Sequence, residues 1–180
     1  MTEKTWQQHL IDLHPELFIR MIRGVPVSPG YPATSGDGWR DLVATLVVRV
    51  STAALRYPIQ FTQIREMHGR LAIHWRAEAA VPKHVERAIE EAIALAEARA
   101  SCSCVTCGAK ARLFSSRRGQ LILACPNHAR GTPVPARPGL ENVHIFRRRA
   151  RDSSTLAYVR YDWDNDQLVD VDANLVSIDD

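Results

Sequence analysis

Apolar residues recur at helical spacing in three stretches of the N-terminal half of the chain. In residues 5–22 they fall on one helical face, and Pro15 either starts a second helix there or kinks the first. A second stretch begins at Trp39 and reaches Val50, with charged residues on the opposite face, as is typical of an amphipathic helix. The third begins at Pro82, which suits a first helical turn, and ends at residue 100. The pattern therefore predicts three helical segments.

Alternation of apolar and polar residues predicts strands elsewhere. Residues 60–76 alternate around His68-Gly69, a dipeptide that supplies the turn of a β-hairpin. The stretches 143–149, 156–163 and 167–171 alternate in the same way and predict a small antiparallel sheet. The proline- and glycine-rich stretch 24–38 predicts a loop, in which Ser35 or Asp37 caps the next helix. We therefore expect an α+β fold of helices and short antiparallel β-hairpins, with a small antiparallel sheet at the C-terminal end.

Composition indicates a globular protein with an uneven distribution of charge. The 180 residues are 46% apolar, and no apolar run approaches the roughly 20 residues that cross a bilayer. The N-terminus lacks the basic and then apolar pattern of a secretory signal. Residues 108–151 hold ten Lys or Arg and one Glu, a net +9, whereas residues 152–180 hold eight Asp and one Arg, a net −7. A strongly basic segment is therefore followed by an acidic one.

Three cysteines and one histidine follow the spacing of a metal site. Cys104-Val-Thr-Cys107 and Cys125-Pro-Asn-His128 are separated by 17 residues, and two such pairs can meet across a hairpin to complete a tetrahedron. We expect a closed, structural Zn²⁺ site, because catalytic zinc keeps an open position and no Glu or Asp base lies near the second pair. Cys102 can replace Cys104 in this register or remain a free thiol. Free thiols favour a reducing, cytoplasmic location.

The segment between the two ligand pairs predicts a β-hairpin. Residues 111–114 and 120–124 are strand-like, and residues 115–119 form its tip. Pro126 favours a turn into a short helix. This order is that of a treble-clef-like zinc finger, around which the helices and hairpins are arranged. We expect three regions: a helical and hairpin region at 1–101, the Cys3His finger at 102–130, and a C-terminal β segment with an acidic tail at 140–180.

Four segments together resemble a set found in uncharacterised small proteins of bacteria and phages. These segments are Gly36-Asp37-Gly38-Trp39-Arg40-Asp41-Leu42, the stretch 63–71 around His68-Gly69, and the two ligand pairs. Residues 141–145 and 169–172 resemble tails of alphaproteobacterial hypothetical proteins. The resemblance implies a glycine-aspartate-glycine-tryptophan helix start, a strand pair, a long helix and a Cys/His zinc finger, and it suggests a mobile-element origin. It implies no activity.

Arginines dominate the basic segment and indicate a binding surface. Of the 23 basic residues 20 are Arg, whose planar guanidinium suits bidentate contacts with phosphate or carboxylate. Contacts with phosphates would give salt-dependent binding of nucleic acid, and Phe114 or Phe146, if exposed, would stack on an unpaired base. The candidate nucleic-acid-binding residues are Arg112, Arg117, Arg118, Arg147, Arg148 and Arg149.

Two other interpretations of these arginines stay open. They can solvate strand faces and pair with the acidic tail, as charge runs commonly do. They can also contact a protein, in which case the chain is an accessory or inhibitor protein of a mobile element that acts on a host or defence complex. Arginines that are free on one face would favour nucleic acid, and arginines that are tied to the C-terminal aspartates would favour a protein partner. We expect no membrane partner and no small-molecule substrate.

Catalytic and calcium-binding patterns do not match the chain. There is no Gly-rich phosphate loop, nucleophile elbow or metal-hydrolase motif, so we expect no enzyme activity. An HNH-type nuclease is disfavoured because His128 is assigned to the metal and lacks a second catalytic partner. The aspartates from Asp162 onward resemble an EF-hand loop, but Gln167 replaces the required glycine and Ala173 the bidentate glutamate. A hairpin turn at Asn165-Asp166 is the better interpretation.

Overall fold

A computed structural model shows an α+β protein, as the alternating patterns predicted. It describes residues 4–149 and 154–176, and of residues 147–149, 154 and 175 it describes the backbone alone. The helices are α1 (Trp6–Leu13), α2 (Pro15–Phe18), α3 (Arg40–Ala53), α4 (Lys83–Ala100) and α5 (Ala173–Val176). The strands are β1 (Arg20–Ile22), β2 (Val25–Val27), β3 (Pro32–Ala33), β4 (Ile59–Met67), β5 (Arg70–Ala77), β6 (Arg112–Ser115), β7 (Leu121–Ala124), β8 (Thr132–Pro133), β9 (Val143–Arg149), β10 (Ser154–Asp162) and β11 (Gln167–Val171). Among these helices none combines the length and the apolar content that crossing a bilayer requires.

The N-terminal helical prediction is correct up to Phe18 and wrong beyond it. Pro15 opens α2 as a separate helix, and α2 ends at Phe18. Residues 20–22 instead pair with residues 25–27 as an antiparallel hairpin. Arg23 and Gly24 have φ of 52° and 79°, which gives the left-handed turn that a two-residue hairpin needs. The predicted loop 24–38 therefore contains two short strands, β2 and β3.

The largest hydrophobic core lies between helices α3 and α4 and the sheet of β3, β4 and β5. β3 pairs in parallel with β4, and β4 pairs antiparallel with β5 through the His68-Gly69 turn. Both turn residues have positive φ, 50° and 71°, which confirms the predicted turn. Trp39 is fully buried in this core, and Trp6 and Trp75 pack against it. Two residues of the metal-binding region, Val105 and Leu123, belong to the same core.

The C-terminal sheet has the order β11-β10-β9 and is antiparallel throughout, as predicted. Its inner face rests on the C-terminal end of α4, where Tyr161 packs with Ala98 and Cys102 in a second, smaller cluster. The turn at Asn165-Asp166 is confirmed, since Asp166 has a φ of 48° between β10 and β11. The long helix α4 is therefore shared by the two hydrophobic clusters.

The metal-binding region contains a three-stranded sheet with the order β7-β6-β8. The predicted hairpin is present, with β6 and β7 antiparallel on either side of the 116–120 tip. The predicted short helix after Pro126 is wrong: residues 126–128 form a single turn, closed by the His128 N–H donating to the Cys125 carbonyl at 3.0 Å. The chain then returns as β8, which pairs with β6. Residues 129–142 contain no helix.

Candidate metal centre

The four predicted ligands come together at one point of the structure. Each offers one donor atom, and the donor atoms of Cys104, Cys107, Cys125 and His128 all lie within 4.8 Å of one another. The Sγ atoms of Cys107 and Cys125 are 3.7 Å apart, and His128 Nδ1 lies 3.7 Å from Cys104 Sγ and 3.3 Å from Cys125 Sγ. Three thiols and an imidazole in this arrangement are compatible with a metal site.

Backbone hydrogen bonds shape the first ligand loop, residues 104–108. The Gly108 N–H donates to the Cys104 carbonyl at 2.8 Å, and the Cys104 N–H donates to the Ala109 carbonyl at 2.8 Å. Gly108 has a φ of 76°, a conformation in which glycine carries no steric penalty. The turn therefore places Cys104 and Cys107 on the same side of the loop, the first buried and the second exposed.

Burial and backbone dipoles act in opposite directions on the thiol of Cys104. Burial raises its pKa, whereas backbone groups of both ligand loops, those of Cys125 and Cys107 among them, lower it. The lowering effect is larger, and the pKa of this thiol falls to about 6. A thiolate is the form that binds a metal ion, so the loops favour the ligand form of Cys104 at neutral pH.

The glycines at positions 36 and 38 let the N-terminal region touch the first ligand loop directly. The Gly38 N–H donates to the Val105 carbonyl at 2.8 Å. A Cβ at position 38 would lie 2.2 Å from the Cys104 carbonyl oxygen and 2.4 Å from the Gly108 nitrogen, and one at Gly36 would lie 2.6 Å from the Val105 carbonyl oxygen. We call residues 36–39 the GDGW turn. Only glycine allows so close an approach of two backbones.

The two residues predicted as helix caps, Ser35 and Asp37, have other hydrogen-bond partners. Asp37 accepts a hydrogen bond from Trp6 Nε1 at 2.9 Å, and Ser35 donates its hydroxyl to Glu66 Oε2 at 2.5 Å. The residue before α3 is Trp39, whose side chain makes no capping hydrogen bond. The capping prediction is therefore wrong, because a short 3-10 turn at Asp37–Trp39 precedes the helix and displaces its start.

Two further contacts hold the metal-binding region against the core. Trp39 donates its indole N–H to the Ser103 carbonyl at 3.1 Å, and both residues are buried. A Cβ at Gly69, in the β4–β5 turn, would lie 2.6 Å from Leu113 Cδ1 on β6. The GDGW turn therefore contacts the first ligand loop, and the His68-Gly69 turn contacts the β6–β7 hairpin, although these segments are far apart in sequence. The ligand spacing alone did not signal these contacts, although the glycines at positions 36, 38 and 69 lie at the contact points.

Cys102 lies outside the cluster of four. It is buried against Tyr161, and its Sγ lies 3.3 Å from the Arg99 carbonyl and 3.5 Å from the Ala98 carbonyl. Burial raises the pKa of this thiol to about 11, so it is protonated at neutral pH. The sequence left open whether Cys102 or Cys104 is the first ligand. The four donor atoms that meet include that of Cys104 and not that of Cys102.

The predicted arginines divide into two groups. Arg112, Arg117 and Arg118 lie on β6 and on the 116–120 tip, and all three are exposed. Arg112 stacks over the Phe114 ring at 5.3 Å, and Phe114 itself is only 7% exposed and so offers no face to a base. Arg147, Arg148 and Arg149 lie at the end of β9, paired with residues 154–156 of β10, and their side chains are outside the described residues.

Asp166 in the acidic segment contacts side chains of α3 and α4. Asp166 accepts a hydrogen bond from Arg49 Nη2 at 2.7 Å, lies 3.8 Å from Arg99, and accepts another from the Tyr161 hydroxyl at 2.8 Å. Within the described part of the chain, no ion pair joins Arg112, Arg117 or Arg118 to a carboxylate. These three arginines therefore form no ion pair with the aspartates at positions 162–172.

Comparisons with known proteins do not place the chain in a family. No family model matches it, and neither a curated protein nor a solved structure shows a match. The interpretation of the site consequently rests on its own geometry.

Proposed function

We propose that the four ligands bind one structural Zn²⁺. With Zn–S bonds near 2.3 Å and a Zn–N bond near 2.0 Å, tetrahedral coordination separates two sulfur atoms by about 3.8 Å and a sulfur and a nitrogen by about 3.6 Å. The separations of 3.7 Å between Cys107 and Cys125, and of 3.7 and 3.3 Å between the sulfurs and His128, fit these values. A first ligand loop, a hairpin and a second ligand pair in this order are typical of a zinc finger, although the short helix of the predicted treble clef does not follow Pro126. Four protein ligands leave no position for a substrate, so the ion supplies stability and not chemistry.

We propose that this zinc-stabilised region binds nucleic acid through its arginines. The observation that carries the proposal is the exposure of Arg112, Arg117 and Arg118, which form no ion pair with any carboxylate in residues 4–149 and 154–176, while Asp166 is paired with Arg49 and Arg99. Exposed guanidinium groups on a β-hairpin suit contacts with phosphates, which need no specific base sequence. Arg147, Arg148 and Arg149 extend the same basic segment in the sequence.

Fluorescence anisotropy with labelled single-stranded DNA, duplex DNA and RNA tests this proposal. We expect the zinc-loaded protein to bind at low salt and to lose affinity steeply as salt rises, because counterions are released from the phosphates. The variant with Arg117→Ala and Arg118→Ala should bind at least about tenfold more weakly and show a shallower salt dependence. A variant with Arg147, Arg148 and Arg149 changed to Ala tests the second group in the same way.

Arg56→Ala provides the control. It removes one exposed arginine that follows the C-terminal end of α3, whereas the GDGW turn lies at the N-terminal end of that helix. Its affinity should stay close to that of the unchanged protein. Absence of binding by the unchanged protein at micromolar concentration and low salt would contradict the nucleic-acid function. Equal losses in the control and in the hairpin variant would show a nonspecific effect of net charge.

A protein-binding role is the second candidate, and the β1–β2 hairpin favours it. Met21 is 62% exposed and Val25 59% exposed, and Ile22 between them is also exposed. A projecting hairpin with apolar side chains suits a protein partner better than phosphates. An accessory or inhibitor protein of a mobile element would use such a surface, and affinity capture with Met21→Asp as the control distinguishes this role from nucleic-acid binding.

A further inference from the structure

Asp166, in the turn between β10 and β11, lies between basic and hydroxyl groups from three elements. Its Oδ2 accepts a hydrogen bond from Arg49 Nη2 of α3 at 2.7 Å. Its Oδ1 accepts one from the Tyr161 hydroxyl of β10 at 2.8 Å and lies 3.8 Å from Arg99 Nη1 of α4. Two guanidinium groups and a hydroxyl that converge on one carboxylate are also a suitable set of donors for a phosphate group.

The charge states of these groups are those of an anion-binding site. Burial and then the hydrogen bond to Asp166 raise the pKa of the Tyr161 hydroxyl, so it is a donor at neutral pH. Burial raises the pKa of the Asp166 carboxyl, but the hydrogen bonds from Tyr161 and Arg49 lower it by more than burial raises it. Tyr161 is only 6% exposed and packs with Ala98 and Cys102, so its position is fixed. The occupant of this site is a carboxylate of the chain itself.

Solvent reaches this site. The side chains of Arg49, Asp166 and Arg99 are 37%, 35% and 26% exposed. Ion pairs at partly exposed positions are weakened by water and salt, so another anion can compete with the carboxylate. Asp166 competes strongly, however, because it belongs to the same chain and is present at a high effective concentration. Removal of its carboxylate should therefore open the site to an anion from solution.

The turn that carries Asp166 also touches the basic metal-binding region. Lys110 Nζ lies 5.8 Å from the centre of the Trp163 ring in this turn. Lys110 pairs with Ser103 in an isolated bridge, in the extended segment that leads into β6. Its side chain and that of Arg112, two residues further along, therefore leave the backbone on the same side. A row of basic residues thus leads from the β6–β7 hairpin towards the site that Asp166 occupies.

We propose that the position between Arg49, Arg99 and Tyr161 binds a phosphate of the nucleic acid, and that Asp166 occupies it in the free protein. Nucleic acid as the source of the phosphate rests on the proposed function, because Arg112 belongs to the proposed binding surface. The capacity of the site for a phosphate group does not rest on it. A strand that reaches this site must displace Asp166, so the acidic turn lowers the affinity of the protein for nucleic acid.

Thermal denaturation of the zinc-loaded Asp166→Gly protein in inorganic phosphate tests the site itself. The substitution empties the site, and glycine suits the φ of 48° at this position. In about 20 mM phosphate, compared with chloride of equal ionic strength, its Tm should rise by about 2–5 °C more than that of the unchanged protein, since phosphate binds the folded state alone. The additional rise should vanish when Arg49→Gln is combined with Asp166→Gly.

Fluorescence anisotropy with labelled single-stranded DNA tests the source of the phosphate. Asp166→Gly should bind about three- to tenfold more tightly at low salt, and its log–log salt dependence should be steeper by about 0.7, as one added phosphate contact predicts. Asp164→Gly is the matched control. It removes one carboxylate from the same turn, but Asp164 is exposed and forms no ion pair in the described part of the chain. Its salt dependence should equal that of the unchanged protein.

Far-UV circular dichroism and zinc content should be the same in all variants. If glycine at position 166 unfolds the turn, Asp166→Asn keeps a side chain there without its charge and should still bind DNA more tightly than Asp164→Asn. Equal behaviour of the Asp166 and Asp164 variants in both assays, or a phosphate response that survives Arg49→Gln, would overturn the proposal. A phosphate response without tighter DNA binding would show that the site takes free phosphate groups and that the nucleic-acid source is wrong. A phosphate response in a protein that binds no nucleic acid at all would support the site and contradict the proposed function.

Discussion

At the scale of single residues, Gly38 joins the N-terminal region to the first ligand loop. Its missing side chain leaves room for the backbone of Cys104 and Gly108, and its N–H donates to the Val105 carbonyl. The neighbours of a Cβ at this position would be backbone atoms, which cannot rotate away as the end of a side chain can. Gly38 is therefore a positioning residue for the metal centre.

Gly38→Ala should destabilise the protein by about 3 kcal/mol, which lowers Tm by about 6–12 °C in a chain of this length. Thermal denaturation of the zinc-loaded protein measures the effect, and zinc content per chain shows whether the ligand loop still closes. Gly119→Ala is the control, because nothing lies within 4 Å of an added Cβ there and this variant carries only the backbone cost of alanine at a φ of 74°. A Gly38→Ala protein as stable as the control would contradict the close contact.

The two candidate cysteines at positions 102 and 104 differ in what their loss should do. Cys104→Ala should abolish stoichiometric zinc binding, because three ligands remain where the closed site needs four. Cys102→Ala should retain one zinc per chain and lose only the packing of a buried thiol against Tyr161. Elemental analysis of both purified variants distinguishes them, and loss of zinc by the Cys102 variant would reverse the assignment.

At the scale of elements, Glu97 connects α4 to the edge of β5. Its carboxylate accepts a hydrogen bond from the Ile73 N–H at 3.3 Å. Burial raises its pKa from 4.5 to about 7, against the lowering effect of that hydrogen bond. The folded protein therefore holds a proton on Glu97 at a pH at which the unfolded chain has released it.

This shift predicts a pH dependence of stability with a definite sign. The contribution of Glu97 is fully present below about pH 4.5 and is lost as pH rises through about 7, because the folded state binds more protons in this interval. Glu97→Gln keeps an acceptor for Ile73 but does not titrate. We expect the stability of the Gln variant relative to the unchanged protein to increase from pH 5 to pH 8, as measured by urea unfolding.

The comparison of the two proteins at each pH removes the effect of acid on the metal ligands, which is common to both. A difference in stability that does not change with pH would show that Glu97 has no raised pKa. An unchanged far-UV circular dichroism spectrum of the Glu97→Gln protein confirms that its helices, α4 among them, are intact.

Element boundaries were predicted best where a pattern was long and local. The helix at α4, the hairpin of β4 and β5, and all three C-terminal strands follow from apolar periodicity and turn residues. The predictions failed where strand pairing, and not apolar periodicity, decided the backbone. Residues 20–22 became a strand by pairing with β2, and residues after Pro126 formed a turn because the chain returns to β6.

At the scale of the whole molecule, the candidate metal centre and the main core are linked. Val105 and Leu123 belong to the core, and the Trp39 indole donates to the Ser103 carbonyl inside it. A metal-binding region that folded independently would contribute no side chains to the core between α3, α4 and the sheet of β3, β4 and β5. We therefore expect the metal to stabilise more than the residues around the ligands.

Removal of zinc by a chelator should lower the Tm of the whole protein. Structural zinc contributes on the order of 10 kcal/mol to the folding of isolated fingers, and if even a third of this reaches the core, Tm falls by roughly 10 °C. Differential scanning calorimetry should show a single transition at lower temperature, which added Zn²⁺ restores. Two separate transitions, with the upper one unchanged by the chelator, would show that the metal-binding region unfolds alone.

The amino-acid sequence by itself determined the α+β class, most helices and strands, and the four candidate ligands, because periodicity, turn chemistry and ligand spacing are local properties. The tertiary structure decided which surfaces meet. It brought Gly38 and Gly69 against the metal-binding region, buried Phe114, and left Arg117 and Arg118 exposed with no ion pair to a described carboxylate. These outcomes depend on contacts between residues that are far apart in the chain, and no local pattern records such contacts.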